Sequence, residues 1–137
     1  MDQHQQGLED FITEWPESSK TCRAPFIHLK EYLQELEGVI LQFIPRPGVT
    51  YSLRASHRGQ SDRPLFTMVD VIDAEPRWLS VCFFGETVSD PEERGDLVPG
   101  GLLGEDGLCF DVENGSDDAI EYLIARIDEA YQTVIAA

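Results

Sequence analysis

Positive charge is scarce in this chain. Ten lysines and arginines stand against 26 aspartates and glutamates in 137 residues, a formal net charge of −16. A field of that sign repels phosphate backbones, so whole-surface binding of DNA or RNA is disfavoured. Cysteine is nearly as scarce. Cys22, Cys82 and Cys109 form no C-x-x-C pair, no even disulfide framework and no zinc spacing. Cys82 and Cys109 lie among strand-forming residues and are expected as core thiols. No apolar run approaches the ~20 residues that a membrane-spanning helix needs. The polar start Met1-Asp2-Gln3-His4 lacks the basic and apolar regions of a signal peptide. No membrane association is expected, and the cytoplasm is the expected location. The Asn114-Gly115-Ser116 sequon matters only in a secreted protein.

Catalytic and ligand motifs are also missing. There is no G-x-S-x-G elbow, and no serine or cysteine is legibly paired with a base. Gly101, Gly104 and Gly107 are spaced like a phosphate loop, but a strand follows them and Glu105 and Asp106 repel phosphate. Residues 90–101 faintly resemble a calcium loop, with Arg94 and Gly101 where oxygen ligands belong. His28 and Glu31 share a helix face but are only half of a metal pair. No metal and no cofactor is expected.

What is present is a clear change of period. Leu8, Phe11, Ile12 and Trp15 follow helical spacing until Pro16 stops the run. Glu17 to Arg23 reads as a polar linker. Pro25 opens a second helix with a Phe26, Leu29, Leu33, Leu36 stripe, and Gly38 caps it. From Val39 the period becomes two. Strands are expected over 39–44, 49–56, 65–72, 78–84 and 108–112, with residues 85–107 the loosest part. Ser116 caps a last helix whose stripe includes Ile120, Leu123, Ile127 and Tyr131. The expected fold is a single α+β domain over residues 1–137. A core over 26–135 would hold a five-stranded, mainly antiparallel sheet, with N-terminal and C-terminal helices on one face; residues 1–16 would add a helix outside it.

The charge is uneven. Residues 1–43 carry net −5, residues 44–84 net +1 and residues 85–137 net −12. The arginines of the middle third, with neighbouring rings, form the one constellation pointing to a ligand: Tyr51, Arg54, His57, Arg58, Arg63, Arg77 and Trp78. Gathered on one side, they would bind a small anion. Paired with the chain's own carboxylates, they would bind nothing.

The helix with Phe26, Leu29 and Leu33, the strand Tyr51-Ser52-Leu53-Arg54, and the ending Phe110-Asp111-Val112 with Asp118, Tyr122, Ile127, Ala130 and Tyr131 resemble the DUF5655-like group of small domains of unknown function. Related small domains have a YdhG-like or YjbR-like α+β arrangement. The resemblance covers about residues 26–135. It lacks the group's Gly-His-Gly-type segment, and the Gly100–Gly107 loop is long and acidic. It implies a fold and no activity.

Three functional readings follow from the residues. The first is a non-enzymatic binding or regulatory module that contacts a protein partner, or itself as a homodimer through Leu8, Phe11 and Trp15. The second is a sensor or enzyme for a small anionic ligand held by the arginines. The third is an acidic mimic of nucleic acid that occupies a basic protein.

Overall fold

The computed structural model describes residues 3–113 and 116–136. Met1, Asp2 and the Asn114-Gly115 half of the sequon lie outside the described residues. Helix α1 (Gln3–Thr13) is followed by a 3-10 helix (Glu17–Cys22) and helix α2 (Arg23–Glu35). Strands β1 (Val39–Arg46), β2 (Thr50–His57), β3 (Thr67–Ile72), β4 (Trp78–Phe84), β5 (Asp96–Leu102) and β6 (Glu105–Val112) come next, then helix α3 (Asp117–Ala136). The sheet is wholly antiparallel, in the order β1-β2-β3-β4-β6-β5. It therefore has six strands where the alternation of the sequence marks five.

The added strand is β5, and its sequence hides it. Pro99-Gly100-Gly101 breaks its middle, where the pairing with β6 shifts register between Val98 and Leu102. Proline is tolerated there because β5 is an edge strand with no neighbour on its outer side.

All helices lie on one face. The row Phe43, Leu53, Val69, Val81 and Phe110 crosses the sheet from β1 to β6. It packs with Phe26, Leu29 and Leu33 of α2 and Leu123, Ile127 and Ala130 of α3 into one core. Ser116 caps α3 as its sequence indicates, its Oγ accepting from Ala119 N at 3.2 Å.

Two expectations need correcting. Glu17–Cys22 is not a free linker: Ser19 and Cys22 are buried. Ser19 O accepts from Trp15 Nε1 at 2.8 Å, and Ser19 Oγ accepts from Arg77 N at 2.9 Å. Nor does α1 stand outside the core. Leu8 and Trp15 are buried within the chain, and the Phe11 ring packs against Phe26, Phe43 and Tyr51. The side chains proposed for a dimer contact are thus spent on the chain's own core.

The stretch after β4, expected to be loose, is fastened to α3. Glu129 accepts from Ser89 N at 3.1 Å and from Ser89 Oγ at 2.6 Å. Tyr122 donates its hydroxyl to Asp90, and the guanidinium groups of Arg94 and Arg126 lie over the Tyr122 ring at 4.6 and 4.5 Å. Asp90 itself accepts from the backbone N–H groups of Arg94 and Gly95. These contacts hold the turn at residues 90–95 together.

Candidate interaction face

Strand geometry sends successive side chains to opposite faces. The helices take one face, so the alternate residues of every strand line a second face that no helix covers. Register sorts that face into rows. Arg46, Thr50, Ile72 and Trp78 form the first row. Ile44, Ser52, Asp70, Ser80 and Asp111 form the second. Gln42, Arg54, Met68, Cys82, Cys109 and Asp96 form the third.

The middle of the face holds its unusual chemistry. Ser52 is fully buried, and its Oγ accepts from Arg54 Nε at 3.3 Å. Asp70 sits beside it with Oδ1 buried and without a hydrogen-bond partner. Burial pushes the Asp70 carboxyl above its usual range, while the Ser52 hydrogen bond and the nearby Arg54 and Arg46 charges pull the other way. Asp111, at the end of the same row, is also raised, first by burial and then by the like charges of Asp96 and Glu113. Ile44, Met68, Ile72 and Trp78 are half-buried around this centre.

The third row contains a bond that the sequence reading missed. Cys82 and Cys109 face each other directly across β4 and β6, with Cα atoms 4.1 Å apart, and are joined as a disulfide. They are not separate core thiols. Cys22 is the free, buried cysteine. The disulfide lies in a small second apolar cluster with Leu65, Phe84, Leu102 and Met68. Arg63 closes that end, 4.3 Å over the Phe84 ring, paired with Glu105 at 2.8 Å and with Glu86. Spacing gave no signal for the disulfide, because 27 residues separate two cysteines that only strand register brings together.

The predicted ligand residues fall in separate places. Arg54 and Trp78 lie on the open face. Tyr51 and Arg77 lie beneath α1, on the helix side. Arg77 stacks over Phe11, Trp15 and Tyr51 at 4.8, 5.0 and 5.1 Å, with its Nη1 buried and unpartnered. A hollow of about 260 Å³ beside it is lined by Phe11 and Tyr51, but also by Asp10 and Glu14, which oppose an anion. Tyr51 donates to Asp73 at 3.1 Å; burial first, then Asp73, pushes its phenol up. His57 accepts from Gly59 N at 3.0 Å and faces the Tyr131 ring. Arg58 pairs with Glu37 at 3.2 Å in solvent. The arginines do not converge on one point, and Arg58 and Arg63 hold carboxylates of their own chain.

Among the described residues, no cluster of three or more histidine, cysteine, aspartate or glutamate side chains could hold a metal ion. No helix among them is long and apolar enough to cross a membrane. No family model matches the chain, and neither the curated proteins nor the solved structures contain a match to it.

Asp70 gives a direct test of the electrostatics of this face. Asp70→Asn removes a buried charge that lacks a full set of partners, and is expected to raise stability by about 1 kcal/mol at neutral pH. A carboxyl raised on folding favours the folded state below its ordinary value of 3.8, and that advantage is lost as pH rises through the elevated value. The two proteins should therefore unfold alike below about pH 3.8 and diverge above it. Urea titrations across pH measure this, and a parallel pair of curves would refute it.

Proposed function

We propose that this chain is a non-enzymatic binding module that works through protein–protein contact, with the helix-free sheet face as its contact surface. One observation carries the reading: half-buried Trp78, Ile72, Met68 and Arg54 surround the Ser52–Asp70 centre on a face that no helix covers and that Leu65, Leu102 and Arg63 close only at its Cys82–Phe84 end. Tryptophan, methionine and arginine are the residue types enriched in protein interfaces, and excess charge is depleted at their centres. The chain's acidity is concentrated elsewhere, on helices and loops.

Membership of the DUF5655-like group belongs to the same proposal. It rests on the residue matches around Phe26, Tyr51 and Phe110 and adds a fold without an activity. A cytoplasmic location is also part of it.

Matched baits test the reading. Intact protein and a Trp78→Ala/Arg54→Glu variant, checked for equal folding by circular dichroism, are each crosslinked in the same extract. A Glu31→Gln variant on α2 serves as the control. The expected result is a partner retained by wild type and by the control, and weakened at least tenfold in the double variant, since that costs only ~1.4 kcal/mol. Identical captures by all three baits would remove the sheet face as a contact surface.

A further inference from the structure

The open face has a polarity that selects its occupant. Its β1–β2 side carries Arg46 and Arg54, and its β5–β6 side carries Asp96 and Asp111. Between them run the apolar Ile72, Trp78 and Met68 of the two central strands. A surface with one sign on the left and the other on the right is complementary to itself when a copy is turned about an axis along the strands.

We infer that the occupant is a second copy of this chain, paired sheet to sheet about a two-fold axis that runs along the strand direction between β3 and β4. The inference rests on the binding-module reading above and names the partner. An axis at right angles, across the strands, would set arginines on arginines. The axis along the strands keeps each row at its own height. It puts Ile72 opposite the partner's Trp78, Ser52 opposite the partner's Asp111, and Arg54 within reach of the partner's Asp111 and Asp96. Sheets packed this way lie ~10 Å apart with strand directions within about 30°.

Two further observations fit the same arrangement. Six strands spaced at ~4.8 Å and about 20 Å long give a footprint of the order of the ~800 Å² that each partner contributes to a standard interface. The helices, which carry Glu9, Asp10, Glu31, Glu35, Asp117 and Asp118, all lie on the far side. Pairing through the sheet therefore points the strongest like charges of the two copies away from each other.

Charge exchange tests this directly. Light scattering of the intact chain at about 100 µM should give twice the 15.4 kDa chain mass, because that concentration is far above a micromolar dissociation constant. Arg54→Glu alone, or Asp111→Lys alone, places like charges together twice in a symmetric pair and should weaken pairing at least tenfold. Mixing the two variants restores an opposite pair at both places, so the mixture should regain the doubled mass. That recovery also shows that both variants are folded. A 15.4 kDa mass for wild type, or single variants that pair as well as wild type, would overturn self-pairing. In that event the bait experiment still decides whether the face serves a different protein.

Discussion

Trp15→Ala is expected to lower stability by about 3–5 kcal/mol, the range for deleting a buried tryptophan side chain. That is a large part of the ~5–15 kcal/mol that holds a typical domain together. Trp15 is only 8% exposed and lies just past the end of α1. Its ring packs against Phe11 at 5.1 Å and Phe26 at 5.5 Å, and it forms part of the aromatic surface under Arg77. Its indole N–H is the donor that holds Ser19 O. One substitution therefore opens a cavity, strips a guanidinium of one stacking partner and frees the 3-10 helix. Urea unfolding followed by far-ultraviolet circular dichroism reads the loss. If α1 were an appendage, the same substitution would cost less than ~1 kcal/mol, as surface changes usually do. Leu8→Ala, at the other end of the same stripe, should cost about 2–5 kcal/mol for the same reason.

The place of α1 is not legible in its own residues, for physical reasons. Periodicity identified its buried stripe correctly, but a stripe says only that a face is covered, not by what. Proline at position 16 suggested a boundary, and the serines and lysine after it suggested solvent. The burial of Ser19 depends on two partners, Trp15 and Arg77, the second of them 58 residues away. No local pattern carries that information. Strand β3 was legible because it alternates cleanly between buried and half-buried residues, and β4 because it is a largely apolar run, buried from Val81 to Phe84. Strand β5 was not, since its first six residues are all exposed at an edge where only Leu102 is buried.

The site shows the same division. Alternation within β2 already separates Arg54 from Tyr51, so these two candidates cannot meet one ligand on the same face. Arg58 and Arg63, carried on the loop after β2, turn to Glu37 and to Glu86 with Glu105. In a chain with 26 acidic side chains, an exposed arginine meets a carboxylate of its own chain readily. Asp70 was overlooked for the opposite reason. It alternates with Val69 and Val71 as any solvent-facing residue does, and only the neighbouring strands reveal that its carboxyl is shielded.

Reducing the Cys82–Cys109 disulfide is expected to lower stability by about 2–4 kcal/mol, because a link spanning 27 residues restricts the unfolded chain. For a domain of this size that is a fall in melting temperature of roughly 10 °C. A Cys82→Ala/Cys109→Ala variant should melt at the reduced value and ignore added dithiol, while Cys22, buried against Ser19 and Arg77, leaves both proteins unaffected. Equal melting with and without dithiol would show that the link contributes nothing. The loss should not be uniform. The closed segment contains β5, which pairs only with β6, through residues 96–98 and at Leu102. Strand β4 keeps both neighbours and the core beneath it. Local opening is cheapest where contacts are fewest, so amide exchange should rise first in β5 and leave β3 and β4 protected. Asp96 rides on β5, at the acidic margin of the open face. Loosening that edge removes part of the charge that the arginines of β1 and β2 would meet in a second copy, so pairing should weaken together with stability.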